Sequence, residues 1–381
     1  MNMKTKRVIL LGATGSIGTS TLDVLSSFPE KFRIVGLSAH TNSGKLLQIA
    51  RNHPGARTAL TGILAEQREG IDFYGSTAAV QLIESLDADI VVNGIMGSAG
   101  LAPSAAAIEA GMHLALANKE TIVMAGEILL PEARKKGVNV LPVDSEHAAV
   151  FQLLKSRPHS EISGIILTAS GGAFRNTPLQ ELAGVSVQEA LNHPTWNMGV
   201  KITIDSASMA NKGLEVIEAE RFFDMETDKV SVLIHPQSYV HSLVRTCDGI
   251  LYAQVSAPDM KNPIINALSY PETLVSDFAP LDLAGKNLEF YEPDYRRYPM
   301  LKLAFEASRK SAAYPTAYNA ANEIAVEAFI RERIRYLQIA EVVEAVLQHD
   351  WSDAPRDLQN VFEVDLRVRA VTEQLLDAQG V

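Results

Sequence analysis

Along the first third of the chain, short continuous apolar runs alternate with longer stretches of helical period. Residues 7–11 (RVILL) lead into Gly12, Gly15 and Gly18, and Ile17, Thr21, Val24, Leu25 and Phe28 then fall on one face of a helix. Further strand candidates are FRIVGLS, ARTAL, DIVVNGI, MHLALAN and VNVLPV, separated by helical segments such as 99–110 and 120–136. Such alternation predicts a parallel sheet with helices on both faces.

The pattern then changes. SGIILTASGGAF reads as a strand entering a small-residue turn, and KITIDSASMANKGLEVIEAERFF as a strand followed by a helix. VSVLIHPQ, HSLVRT and ILYAQVS read as antiparallel strands, the last two joined through CDG. A proline-punctuated stretch, 258–299, reads as a helix and a connection, and nearly everything after it is helical. At 381 residues the chain is too long for one ordinary core. The expected fold is α/β: a Rossmann-like parallel sheet over 1–144, a central α+β catalytic domain over 145–270, a linker over 271–299 and a helical bundle over 300–381.

Composition narrows the function classes. A formal net charge of −11 argues against a nucleic-acid partner, because no broad basic surface is implied. No apolar run reaches the length of a membrane helix, so no membrane partner is expected. The single cysteine, Cys247, excludes an intrachain disulfide and fits a reducing compartment. A strand beginning almost at the N-terminus leaves no room for a targeting peptide, and a cytoplasmic location is expected.

In a parallel sheet of this kind ligands lie beyond the carboxyl ends of the strands. There the sequence offers Thr14, Gly15, Ser16 and Ile17, then residues 94–97, then Asn118, Lys119 and Glu120, then Asp144. The G-x-x-G-x-x-G turn suits a dinucleotide: glycines for close approach, and a helix N-terminus facing the pyrophosphate. The second strand ends in SAHTN, with no acid to bind a ribose 2′-hydroxyl, which favours NADP over NAD. In VDSEHAAVF, Asp144 and Glu146 fit either the start of a helix, as cap and first-turn acid, or a metal site. Ser208, Asn211, Lys212 and Glu215 share one helical arc beyond Asp205 and Ser206, a mixture suited to a phosphate and a metal side by side, or to a solvated face. Ser170 opens a small-residue turn that fits an anion nest or a bare turn. Trp196, in the aperiodic NHPTWNMG, is either a packing anchor or a cover. His235 and His241 read individually as structural.

These motifs occur in a telling order: LGATGSIG, NGIMGSAGL, ALANKE, PVDSEHAA, TASGGAF, HPTWNMG, ITIDSASMANKGLEVIEA, HPQSYVHSLV, PDMKNPI and NAANEIAVEAF. Together they resemble the 1-deoxy-D-xylulose 5-phosphate reductoisomerase family, over essentially the whole chain. The resemblance implies a homodimeric enzyme that rearranges 1-deoxy-D-xylulose 5-phosphate and reduces the product with NADPH to 2-C-methyl-D-erythritol 4-phosphate, in non-mevalonate isoprenoid synthesis, using Mg²⁺ or Mn²⁺. It implies Asp144, Glu146 and Glu215 as metal ligands. Lys119, Glu146 and His193 become the catalytic candidates. Ser170, Ser206, Asn211 and Lys212 match the phosphate site, and Ser145, Lys119, His193 and His241 the other substrate contacts, with Glu215 at the substrate as well as the metal and Trp196 on a closing loop. Cofactor contacts would come from Thr14, Gly15, Ser16, Ile17, His40, Thr41, Asn42, Asn118, Glu120 and Gly199. One departure concerns Thr41, which stands where several family members carry a basic residue, so the 2′-phosphate would lack a charged partner there. A semialdehyde dehydrogenase would need an activated cysteine, which Cys247 does not supply, and a dinucleotide sensor would need no carboxylate triad.

Overall fold

The computed structural model describes residues 5–62, 69–155, 157–196, 198–276, 278 and 280–378. They form two compact units, and chain order and compactness do not coincide. The first unit takes the described residues of Met1–Thr121, Leu129–Ala148 and Asp259–Phe278; the second takes those of Ile122–Ile128, Ala149–Pro258 and Ala279–Val381.

The first unit is built on β1 (Lys6–Leu11), β2 (Phe32–Ala39), β3 (Arg57–Leu60), β4 (Phe73–Tyr74), β5 (Ile90–Asn93), β6 (His113–Leu116) and β7 (Val140–Pro142). They pair in the order β4-β3-β2-β1-β5-β6-β7, all parallel. Val8 to Leu11 and Val91 and Val92 are fully buried, as expected of strands covered on both faces. The strand order reverses between β1 and β5, which opens a crevice at their carboxyl ends. Around the sheet run α1 (Ser16–Ser27), α2 (Ser43–Arg51), α3 (Ala78–Glu84) and α4 (Leu101–Glu109). α5 (Lys119–Lys136) belongs to this unit at its two ends and to the second over Ile122–Ile128, and α6 (Ser145–Leu154) begins in this unit and passes to the second at Ala149. The short β4 carries too few residues for any periodic signal. The later segment Asp259–Phe278 joins this unit through Lys6, whose Nζ donates to the Leu268 and Tyr270 carbonyls at 2.9 and 2.8 Å.

The second unit holds β8 (Ile162–Ala169), α7 (Val187–Ala190), α8 (Val200–Ser208), α9 (Ala210–Phe222), β9 (Val230–Ile234), β10 (Val240–Thr246) and β11 (Leu251–Val255). Its sheet runs β11-β10-β8-β9. β10 is antiparallel to β8 and β11 and β9 is parallel to β8, so the three expected strands do alternate in direction, but β9 pairs with β8 and only β10 and β11 are hydrogen-bonded neighbours. α10 (Lys261–Ser269) belongs to the first unit's late segment, and α11 (Pro299–Lys310), α12 (Tyr314–Ile330), α13 (Gln338–Leu347) and α14 (Leu358–Ala378) supply the helical part of the second. One core packs Ile165, Leu167, Val232 and Val244 of the sheet against Val216, Leu301 and Phe305. Another gathers Tyr318, Phe329, Val343 and Trp351 with α8 and α9 residues such as Ile204 and Leu214.

The expected strand KITID is instead the start of α8. The β-branched alternation of Ile202, Thr203 and Ile204 was overridden by helical pairings. Gly199 is the N-cap, the Thr203 hydroxyl donates to the Gly199 carbonyl at 2.8 Å, and Lys201 pairs with Asp205 at 2.7 Å, one turn on. The four-residue arc also changes, because Met209 adopts φ +62° and separates α8 from α9. Ser208 therefore ends one helix while Asn211, Lys212 and Glu215 lie on the next.

Candidate functional site

In the first unit the glycine turn follows β1 directly. Gly12 has φ +74°, and a Cβ there would stand 2.7 Å from the Gly94 carbonyl oxygen, so both features demand glycine. The Gly15 N–H closes the turn on the Gly12 carbonyl at 3.0 Å, and α1 begins at Ser16. This leaves Thr14, Gly15, Ser16 and Ile17 at the head of a helix, beside the crevice. Asn118 braces the neighbouring loop: its amide donates to the Ile95 and Gly97 carbonyls at 2.9 and 2.8 Å, and its oxygen caps α5 by accepting from Thr121 N at 3.0 Å. Glu120 accepts from Gly97 N at 3.2 Å and from the Asn118 amide at 2.9 Å. Both side chains are buried supports of the loop around Gly97.

At the end of β2, His40 bonds Thr61 through Nδ1 at 3.0 Å, Thr41 is exposed, and Asn42 caps α2 by accepting from Lys45 N at 3.0 Å. Lys45 turns its ammonium back to the glycine turn, 3.0 Å from the Thr14 carbonyl and 3.4 Å from the Thr19 hydroxyl. Sequence reasoning passed over this residue. The available signal was a cation on the first turn after a strand end that lacks one.

At the end of β7, Asp144 does cap α6: its Oδ1 accepts from Glu146 N at 3.2 Å and lies 3.4 Å from His147 Nδ1. Its other oxygen holds the ammonium of Lys119 at 2.7 Å, with both side chains nearly buried. Ser145 donates to Glu146 at 2.5 Å. Lys119, Asp144, Ser145 and Glu146 thus form one connected polar group. A buried ammonium against a carboxylate restrains both side chains, and a carboxylate oxygen can serve a helix N–H and a cation together.

In the second unit β8 ends in the turn Ser170–Gly171–Gly172. Gly172 sits at φ +67°, and a Cβ there would overlap the Ser206 carbonyl oxygen, so the turn lies against α8 beside Ser206. The Ser170 hydroxyl accepts from Gly172 N at 3.2 Å and meets His193 Nε2 at 3.0 Å. Nδ1 of His193 accepts from Thr195 N at 3.1 Å and Trp196 N at 2.9 Å, which places the imidazole proton on Nε2 and makes it the donor to Ser170. Burial, with the nearby Arg175 charge second, lowers the His193 pKa to about 4. The ring is neutral at pH 7. Trp196 packs edge-on to His241, with ring centroids 6.4 Å apart, so these two predicted residues do meet. Gly199 caps α8; Asn197 lies outside the described residues.

Asn211 donates to Glu215 at 2.5 Å, and Lys212 forms an ion pair with the same carboxylate. Lys212 and Glu215 are both buried. Asp205 and Ser208 play structural parts: Asp205 is held by Lys201 at 2.7 Å and Asn322 at 2.8 Å, and the Ser208 hydroxyl accepts from Ala210 N at 3.3 Å across the Met209 break. His235 is structural too, stacked 4.7 Å from Phe290 and bonded to the Glu289 carbonyl at 2.8 Å.

Three further donors, missed in the sequence, brace the Ser170 turn. Arg175 donates to the Ser170 carbonyl at 2.5 Å, Tyr298 to that of Gly171 at 2.9 Å, and Arg297 to those of Phe174 and Thr177 at 2.7 and 2.5 Å. Burial raises the Tyr298 pKa to about 12, so its hydroxyl remains a donor. The Ser170 and Gly171 carbonyls and the Gly172 N–H are thus all engaged, which fixes the backbone of the turn. A concavity of about 420 Å³ shares Arg175, Arg297 and Tyr298 with this brace, and none of the predicted substrate residues lines it.

Among the described residues no helix is long and apolar enough to cross a membrane. The family models of 1-deoxy-D-xylulose 5-phosphate reductoisomerase match residues 8–126, with its C-terminal domain models at 140–223 and 255–371. The chain is similar to 1-deoxy-D-xylulose 5-phosphate reductoisomerase of Treponema denticola (47% identity, 97% of each chain covered) and of Gloeobacter violaceus (46%, 98% of each). Among solved structures it is similar to a DOX-P reductoisomerase in complex with NADPH, fosmidomycin and magnesium (TM-score 0.91, 38% identity, 98% and 99% covered). It is also similar to the Zymomonas mobilis enzyme in complex with NADPH (TM-score 0.88, 38% identity, 98% and 99% covered).

Proposed function

The chain belongs to the 1-deoxy-D-xylulose 5-phosphate reductoisomerase family, and from that premise we propose how its own residues divide the reaction. It is an NADPH- and divalent-metal-dependent enzyme that rearranges and reduces 1-deoxy-D-xylulose 5-phosphate, to 2-C-methyl-D-erythritol 4-phosphate, in isoprenoid precursor synthesis.

Asp144, Glu146 and Glu215 hold the metal, either Mg²⁺ or Mn²⁺. The donor set supports this: three carboxylates suit a hard, oxygen-seeking cation. When bound, such an ion acts as a Lewis acid on the ketone and its neighbouring hydroxyl. Lys119 orients Asp144, and Lys212 with Asn211 does the same for Glu215. Ser145 and Lys119 bind substrate hydroxyl groups, and Glu146 and His193 complete the polar wall.

The substrate phosphate is taken by the turn at Ser170 together with Ser206, Asn211 and Lys212. The observation that carries this assignment is the bracing of that turn, whose Ser170 and Gly171 carbonyls are held by Arg175 and Tyr298. Trp196, seated on His241, covers the substrate and excludes water. Thr14 to Ile17 receive the dinucleotide pyrophosphate. His40, Thr41 and Asn42 flank its adenosine end, and Asn118, Glu120 and Gly199 line its nicotinamide side.

The working form is a homodimer, with a cytoplasmic location. The edge strand β11, with Leu251 43% exposed and Ile250 just ahead of it 49% exposed, supports pairing with a second copy. Sedimentation would give the mass of two chains; a stable monomer at working concentration would remove the dimer. The activity itself is tested by the decay of NADPH absorbance on adding 1-deoxy-D-xylulose 5-phosphate with and without Mn²⁺. No metal-stimulated decay would overturn the reading.

A further inference from the structure

We propose that Lys45 determines the preference of this chain for a 2′-phosphorylated dinucleotide, in place of the cation that Thr41 lacks. The inference rests on the cofactor reading above. In a parallel sheet of this order the adenosine ribose lies between the glycine turn and the end of the second strand, and the residues there decide whether a 2′-hydroxyl or a 2′-phosphate is accepted. Here the end of β2 offers no acid between Ser38 and Asn42, which permits a phosphate, and no cation, which leaves it unneutralised.

Among the described residues, the polar side chains at this strand end have visible commitments. His40 is turned to Thr61 at 3.0 Å. Asn42 is committed to capping α2 through Lys45 N at 3.0 Å. Thr41 contributes a hydroxyl without charge. Lys45 and Arg51 are the cations of α2, and Arg51 is six residues on, about 9 Å along the helix axis. Lys45 lies in the first turn. Its exposed side chain runs back to the glycine turn, with Nζ 3.0 Å from the Thr14 carbonyl and 3.4 Å from the Thr19 hydroxyl. The ammonium thus stands between the two segments that must flank the ribose.

An ammonium has three donors on a rotatable head. The Thr14 carbonyl takes one and the longer Thr19 contact a second, which leaves a donor for a phosphate oxygen without breaking the tether. The tether also lowers the entropy lost on binding, because the side chain is already directed to the site. Gly44, beside Lys45, leaves the approach open, since a Cβ there would meet nothing within 4 Å.

The test uses calorimetric titration of the whole protein with 2′,5′-ADP and 5′-AMP, which differ only in the 2′-phosphate and need no turnover. Lys45→Met should weaken 2′,5′-ADP about tenfold or more, the loss of one charge-assisted bond, and leave 5′-AMP nearly unchanged. Thr41→Lys added to Lys45→Met should restore much of the discrimination, and a thermal melt of each variant controls for folding. Undiminished discrimination in Lys45→Met, or an equal loss for both nucleotides, would overturn the inference while the cofactor reading stands. Wild-type protein binding 2′,5′-ADP no more tightly than 5′-AMP would overturn the NADP reading and the inference together.

Discussion

Replacing His193 by alanine should loosen the segment that carries Trp196 without touching the dinucleotide half of the enzyme. His193 Nδ1 accepts the N–H groups of Thr195 and Trp196 at 3.1 and 2.9 Å, and Nε2 reaches Ser170 at 3.0 Å. One ring therefore ties the loop to the Ser170 turn. Each neutral hydrogen bond contributes about 1 kcal/mol net, so losing the two that organise the loop costs about 2 kcal/mol, roughly a 30-fold shift in its ordered population. If ordering accompanies binding, the KM for 1-deoxy-D-xylulose 5-phosphate should rise by a comparable factor, while NADPH affinity, measured by direct titration, stays the same. Tryptophan fluorescence gives a second readout. Trp351 is buried with its indole N–H on the Val346 carbonyl at 2.8 Å, so substrate-dependent change should come from Trp196 and diminish in His193→Ala. An unchanged KM with an unchanged fluorescence response would refute the reasoning, as would an equal loss of NADPH binding.

Acid should act on the same ring. Its folded-state pKa of about 4 lies below the ordinary value of 6.5. As pH falls below 6.5 the unfolded chain takes up the proton first, and the contribution present above 6.5 is lost progressively towards pH 4. Melting temperature against pH should therefore fall more steeply across that window for wild-type protein than for His193→Asn, and parallel curves would count against the assignment. Tyr298→Phe, which frees the Gly171 carbonyl, should raise the KM for the phosphorylated substrate several-fold at nearly constant kcat, within the range of one buried hydrogen bond. A fall in kcat with KM unmoved would show that the brace does not act on phosphate binding.

Most of the first unit was legible in the sequence because its signals are local. A parallel strand buried on both faces reads as an apolar run, and the glycine turn reports its own backbone demand at Gly12. Asp144 was legible as the cap of α6, since an acid at a strand's end ahead of an apolar helical run suits the first exposed N–H groups of a helix. The failures came where tertiary context decides. KITID has the composition of a strand, and only the Gly199 cap and the Lys201–Asp205 pair make it helical. The break at Met209 requires a left-handed residue that no glycine announces. Arg175, Arg297 and Tyr298 act on backbone carbonyls, Arg297 and Tyr298 from more than 120 residues away, a partnership that leaves no mark in spacing. Lys45 is conspicuous only once the helix is known to turn it towards Thr14.

The central claim is that Asp144, Glu146 and Glu215 share one divalent ion. Mn²⁺ titration followed by electron paramagnetic resonance, on wild-type protein and on Glu215→Gln, tests it most directly. The wild type should bind one ion per chain. Glu215→Gln should keep its fold and its NADPH affinity but lose most of its Mn²⁺ affinity and turnover, because one anionic oxygen ligand is gone. Undiminished Mn²⁺ affinity together with metal-dependent activity in Glu215→Gln would contradict the account.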